Sequence, residues 1–361
     1  MLNIAFLGNQ WLPHTYERMD ALKNRGHKVY LFTWPLEENK TGENIFLLPC
    51  PNLINKKGLI KYLIPNIREL KKLIKTYNID VIHIMGIVNG IYSFFIRSVK
   101  IVVEHNGSDI LLVPKQLPYY KYYYRLIYFF IDGVIQDSAV SKNAGIRLGA
   151  PKKNNEIIDI GVDLSIFNQE IEKNIIRSKY NIRKDQKIIL HPRGFRELYN
   201  PDIIINSINT VKKLYPDIVY IFCGYYDHHN NYEDKVKEMG IENNVMFVGH
   251  VDRKKELPYY YSDADVVLSI PSSDSSPLSV FEAMACATPV IVSDLPWLNH
   301  KFSNYSPKIV PVRDAHRLSE AIIEVLSDPV DYPTSHLFKI VNNHINKDEE
   351  VKKLEKLYLT I

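Results

Sequence analysis

The chain has 361 residues, 46% hydrophobic and 24% charged, with a net charge of +4; it is too long for one ordinary core and suits two domains of roughly 150 residues each. Composition excludes disordered and collagen-like classes, no apolar run reaches the roughly 18 residues of a membrane span, and Met1–Gly8 enters a short strand rather than a leader. Cys50, Cys223 and Cys286 form no CxxC pair and no even-numbered framework, so a reducing, cytoplasmic setting is expected.

In chain order, Asn3 to Leu7 is read as a buried strand ending at Gly8, followed by a helix from Leu12 to Arg25 and strands from Lys28 to Thr33 and Ile45 to Leu48. Leu59 to Lys75 is an amphipathic helix with Leu63, Ile67, Leu70 and Ile74 at helical spacing. Pro65 either kinks it or marks its first turn. Val81 to Ile84 and Ile101 to Glu104 are β-branched strands, Leu117 to Phe130 is an aromatic helix, and Gly133 to Gln136 and Glu156 to Ile158 are short strands. The pattern breaks at 161–185 and restarts with a strand at Lys187 to His191. Asn200 is read as an N-cap and Pro201 as the first position of a helix to Leu214. Strands at Val219–Cys223, Val245–Val248, Asp265–Ser269 and Pro289–Ser293 follow, with a helix at Leu278–Ala285 and a last one near Glu349–Tyr358. Apolar strands alternating with helices predict an α/β fold with two parallel sheets, each covered on both faces, and ligands at the carboxyl ends of the strands. The expected divisions are 1–165, 166–345, and a C-terminal helix in 346–361 returning to the first domain.

The chemistry concentrates in Ser269-Ile-Pro-Ser-Ser-Asp274-Ser-Ser276-Pro-Leu278-Ser279-Val-Phe-Glu282. A small-residue loop opens a helix at Leu278, and the free N–H groups of a helix start attract an anion. Glu282, one turn in, has a carboxylate that accepts two hydroxyl hydrogen bonds, as a ribose diol would offer. Spaced as Asp-x7-Glu, this stretch resembles the E-x7-E element of family 4 glycosyltransferases. That resemblance implies the GT-B fold (two Rossmann-like domains facing across a cleft) and transfer of a sugar with retained configuration. It implies that Asp274 faces the donor sugar and Glu282 the ribose, with Ser276, Leu278 and Ser279 at the donor.

Further motifs extend the resemblance over nearly the whole chain. In His191-Pro-Arg193-Gly-Phe-Arg196, Arg193 offers a permanent fork of donors to a diphosphate. The family follows it with a lysine that is absent here, and Arg196 is the candidate substitute. Phe247-Val-Gly249-His250-Val251 resembles the turn beside the nucleotide base. Gly8-Asn9 resembles the glycine turn after the first strand, and His105-Asn106-Gly107-Ser108-Asp109 resembles the H-G-(S/T)-D loop whose histidine reaches the donor sugar. Ungapped, Asn106 falls on the family histidine and His105 one residue early, and the expectation favours His105. Asn106, Asp109 and Ser138 are expected on the acceptor side. Ile160-Gly161-Val-Asp163 resembles the family's interdomain linker.

Other chemistries lack their signals. Asp263-Ala-Asp265 imitates a D-x-D metal motif but sits before a strand, His228-His229 has no ligand spacing, and neither GxGxxG, P-loop nor nucleophile elbow occurs. No metal and no cofactor beyond the nucleotide-sugar co-substrate is expected, and no nucleic-acid partner. Residues 1–165 carry 21 Lys/Arg against 14 Asp/Glu, the remainder 24 against 27. Lys56, Lys57, Lys61, Arg68, Lys71, Lys72 and Lys75 follow the amphipathic helix, whose stripe is either core or a docking face for an anionic membrane. The expected activity is transfer from a nucleotide-diphosphate sugar, uridine before guanosine diphosphate, to a glycan or lipid-linked hydroxyl acceptor in bacterial surface polysaccharide or glycoconjugate assembly. The alternatives are a nucleotide-sugar epimerase and a non-catalytic partner subunit of the same fold.

Overall fold

Short runs rich in β-branched and aromatic residues form most strands of the computed structural model, which describes residues 1–10, 13–35, 42–50, 59–224, 231–298, 307–328 and 334–361. Lys56, Lys57, His228, His229 and the Lys61 side chain lie outside the described residues. The chain divides into one unit of Met1–Ile160 with Asp348–Ile361, and a second of Gly161–Lys347. The first break falls five residues before the one expected at 165, at the Gly161 turn.

The first unit is built on seven parallel strands: β1 Asn3–Leu7, β2 Lys28–Thr33, β3 Ile45–Leu47, β4 Val81–Met85, β5 Lys100–Glu104, β6 Gly133–Gln136 and β7 Asn155–Ile157, in the order β3-β2-β1-β4-β5-β6-β7. Successive residues of β1 point to opposite faces, and both faces are apolar. Ala5 and Leu7 join a core with Leu63, Ile67, Leu70 and Ile74 of the helix Leu59–Thr76. Ile4 and Phe6 join another with Val351, Leu354 and Leu357 of the C-terminal helix Lys347–Thr360. The apolar stripe of the basic helix is therefore core, which removes it as a membrane-docking face. Pro65 lies inside that helix, neither at its start nor ending it.

One buried polar group ties the C-terminal helix to this sheet. Arg18, from the helix Pro13–Asn24, places Nε and Nη2 each 3.2 Å from Glu104 and donates to the carbonyls of Ile158 and Asp159 at 2.8 Å. His83 Nε2 stands 2.9 Å from the same carboxylate, and its Nδ1 is 2.5 Å from the Tyr358 hydroxyl. Burial alone would raise the Glu104 pKa, but Arg18 and His83 hold it down to about 2.

The second unit carries six parallel strands: β8 Ile188–His191, β9 Val219–Cys223, β10 Val245–Gly249, β11 Val266–Ser269, β12 Val290–Ser293 and β13 Lys308–Val310, in the order β10-β9-β8-β11-β12-β13. In each sheet the strand order reverses at an internal pair, β1/β4 in the first and β8/β11 in the second, and ligands bind outside the carboxyl ends at such a point.

Candidate functional site

At the second unit's switch point, Arg193 follows β8 and Ser269 closes β11. Nη1 of Arg193 donates to Ser269 Oγ at 3.3 Å and to the Asp274 carboxylate, while the guanidinium lies 4.4 Å from the Tyr199 ring centre. Arg193 and Asp274, 81 residues apart, are thus one ion pair. Burial works against the Arg193 charge, but Asp274 beside it holds the pKa above the ordinary arginine value. Asp274 also accepts from the Ser275 N–H at 2.8 Å. Arg196 is exposed, its guanidinium 5.8 Å from the same Tyr199 ring centre.

The backbone of this loop is set by close approach. Gly194 and Gly224 both have positive φ, 73° and 111°, and a Cβ on Gly224 would stand 2.6 Å from the Gly194 Cα. His191, held neutral with a pKa near 4 by burial, donates from Nε2 to the Gly194 carbonyl at 3.0 Å. Asn200 stands at the N-cap position of the helix Pro201–Lys212 as expected, but its side chain makes no capping bond. Its φ is 51°, and its side chain instead donates to Ile270 O and accepts from Ser272 and Arg313, fastening the two site loops together.

The helix Leu278–Ala285 opens at Pro277 without a side-chain cap. The Val280 N–H reaches Pro277 O, leaving the N–H groups of Leu278 and Ser279 at an open helix start. The buried Ser279 Oγ has no hydrogen-bond partner among the described residues, and half-buried Ser276 precedes the helix. These are features of an anion site.

Glu282, four residues into this helix, is only 2% exposed. Its Oε1 accepts from Arg253 Nε at 2.6 Å and its Oε2 from the Tyr261 hydroxyl at 3.1 Å. Burial, then the Glu282 charge, keeps Tyr261 protonated as that donor. Both carboxylate oxygens of Glu282, the residue expected at the ribose, are therefore engaged within the chain. Arg253 was not singled out in the sequence, although a helix carboxylate facing the core demands a cation. Beside it, Gly249 has φ 70° at a register shift on the edge strand β10, His250 is exposed and Val251 half-buried. The Gly249 carbonyl accepts from the Gly224 N–H at 2.6 Å.

Asp263 and Asp265 are structural. Asp263 accepts from the N–H groups of Asn174, Ile176 and Arg177, and Asp265 pairs with Lys187 and Arg177.

In the first unit the loops after β1, β4, β5 and β6 gather at the carboxyl ends of adjacent strands. Gly8 is set by packing, since a Cβ there would lie 2.8 Å from the Met85 Cβ; Asn9 is exposed. The expectation for His105 is not met. Its side chain is fully buried, with Nε2 3.0 Å from the Tyr128 hydroxyl and Nδ1 3.6 Å from Asp109. The exposed side chain is that of Asn106, close over Gly86. Asp109 is buried and joins two loops, accepting from the N–H groups of Asn106 and Ile87. Ser138 is likewise structural: it caps the helix Ala139–Arg147 in a reciprocal box with Ser141.

Comparison with known proteins follows this division. Residues 172–343 match the family described as Glycosyl transferases group 1, and residues 3–138 match Glycosyl transferase 4-like. The chain is 24% identical to an alpha-monoglucosyldiacylglycerol synthase of Streptococcus pneumoniae, covering 94% of this chain and 79% of that protein. It is 23% identical to an N-acetyl-alpha-D-glucosaminyl L-malate synthase of Bacillus anthracis, covering 85% and 82%. HepE of Anabaena, solved with UDP and glucose, superposes with a TM-score of 0.82 over 100% of both chains at 16% identity. Sucrose-phosphate synthase of Thermosynechococcus elongatus superposes at 0.83, covering 99% and 98% at 20% identity.

Proposed function

This chain belongs to the family 4 glycosyltransferases of the GT-B fold, and from that we propose that it moves a sugar, with retention, from a nucleotide-diphosphate donor to a hydroxyl acceptor. The observation that carries the reading is the Arg193 guanidinium at the switch point of the second sheet, paired with Asp274 in the loop that leads into an uncapped helix start. Arg193, with Arg196 and the N–H groups of Leu278 and Ser279, holds the diphosphate. Negative charge grows on that group as the anomeric C–O bond breaks, and fixed donors stabilise it without reorganising. The acceptor oxygen bonds to the anomeric carbon on the face the phosphate leaves, and the departing phosphate takes the acceptor proton. In this reading the arginine fork and helix dipole offset the charge without a metal.

Asp274 orients Arg193 and keeps lone pairs for a sugar hydroxyl. Glu282 likewise keeps lone pairs, which the ribose reaches when the Arg253 side chain, 25% exposed, gives way. On the first unit, Asn106 rather than His105 is the proposed contact. UDP is the proposed nucleotide, since the similar HepE structures hold UDP or UDP-glucose. The proposed acceptor is a glycan or lipid carrier, the relatives being named for a diacylglycerol glycolipid and a malate glycoside.

Glu282→Gln keeps the shape and removes the charge. It is expected to raise the UDP dissociation constant roughly tenfold or more, the scale of a hydrogen bond to a charged group. Unchanged calorimetric affinity would take Glu282 out of the ribose site. The transfer reading is tested by supplying UDP-, GDP- and ADP-sugars with a bacterial lipid extract and following nucleotide release. Acceptor-dependent release supports transfer, whereas a changed sugar without acceptor makes the chain an epimerase. Because Glu282 is already satisfied by Arg253 and Tyr261, a non-catalytic subunit is the second reading, and silence with every donor would favour it.

A further inference from the structure

We propose that the segment Leu117–Phe129 is an insertion face for an anionic lipid surface. The helix Tyr120–Tyr128 buries Tyr120, Tyr124, Ile127 and Tyr128. Its other side leaves Tyr119 62%, Tyr122 62%, Leu126 52% and Phe129 79% exposed, with Leu117 just before them. Tyr119 and Phe129 have helical dihedrals, so at 3.6 residues per turn these four side chains fall within about 80° of one another, opposite the buried face. Large apolar side chains scattered singly need no explanation, but a contiguous stripe on one helix does.

Charge selects the occupant. No acidic residue occurs from Ile110 to Ile131, while Lys115, Lys121 and Arg125 are all exposed. On the helical wheel, Lys121 and Arg125 lie along one border of the apolar stripe. Tyrosine-rich apolar side chains beside a wholly basic border fit the interfacial region of a bilayer with acidic headgroups, where rings sit at headgroup depth and basic groups meet phosphate. A second copy of this chain would bring the same positive border against itself. The proposal is independent of the transferase reading, because none of Leu117, Tyr119, Tyr122, Leu126 and Phe129 is assigned to donor or acceptor.

The test is flotation of the full chain with vesicles of phosphatidylglycerol and phosphatidylcholine, against phosphatidylcholine alone. Wild type is expected to float with the acidic vesicles and much less at high salt. Leu126→Ser with Phe129→Ser should lower the partition coefficient on the order of tenfold per residue, and Lys121→Glu with Arg125→Glu should abolish the preference for acidic lipid. The exposure of these positions predicts unchanged melting, which serves as the folding control. Failure to float with either vesicle overturns the proposal, as does flotation unaffected by Leu126→Ser with Phe129→Ser. Self-association that these substitutions abolish, without flotation, assigns the face to a second copy and overturns it equally.

Discussion

Arg193→Ala is expected to lower turnover by at least about 100-fold, the scale of one lost donor group at a developing charge. The side chain is held by Asp274, Ser269 and the Tyr199 ring, so its fork is fixed before any donor arrives. Arg193→Lys keeps the charge but loses both the fork and the stacking, and should recover only part of the rate. Initial rates at saturating donor, with a thermal melt on each variant, separate loss of chemistry from loss of fold. Wild-type turnover in the alanine variant would remove Arg193 from the mechanism.

The largest stability effect is expected at Arg18. Arg18→Ala leaves Glu104 buried with only His83 beside it, and breaking a buried pair in this way costs about 3–5 kcal/mol. Arg18→Met combined with Glu104→Gln removes both charges and should be less damaging than Arg18→Ala, because no charge is stranded. Acid should weaken the same network. The Glu104 pKa is about 2 in the folded chain against 4.5 in the ordinary range, so its contribution, on the order of 3 kcal/mol, is complete above pH 4.5 and lost as pH falls through 2. Burial lowers the His83 pKa, so the unfolded chain takes up that proton first, and stability already begins to fall below about pH 6.5. Urea midpoints between pH 7 and 3 should fall steeply in wild type and less steeply in Glu104→Gln. Parallel slopes would contradict this account.

Much of the architecture is legible from short-range pattern. Val219–Cys223 is a run of β-branched and aromatic residues with no polar face, as a parallel sheet covered on both faces requires. Lys308–Val310 escaped because three residues between Pro307 and Pro311 carry no periodicity, although the strand completes its sheet. Motif reading located Arg193, Asp274 and Glu282 but not their partners. Nothing local tells that Arg253 meets Glu282, or that Asn200 turns its amide toward Ile270 rather than its own helix. His105 and Asn106 differ by one residue at a strand end, and that step decides which side chain faces the interior. Ser138 was read as acceptor-facing because the short helix it caps went unrecognised in the sequence.

The most direct test of the central claim is a calorimetric titration of UDP, GDP and ADP, each with EDTA present, against wild type and Arg193→Ala. The account predicts that one diphosphate, UDP, binds without metal and that the Arg193→Ala variant loses most of that affinity. No binding of any diphosphate, or binding that requires a divalent cation, would contradict it.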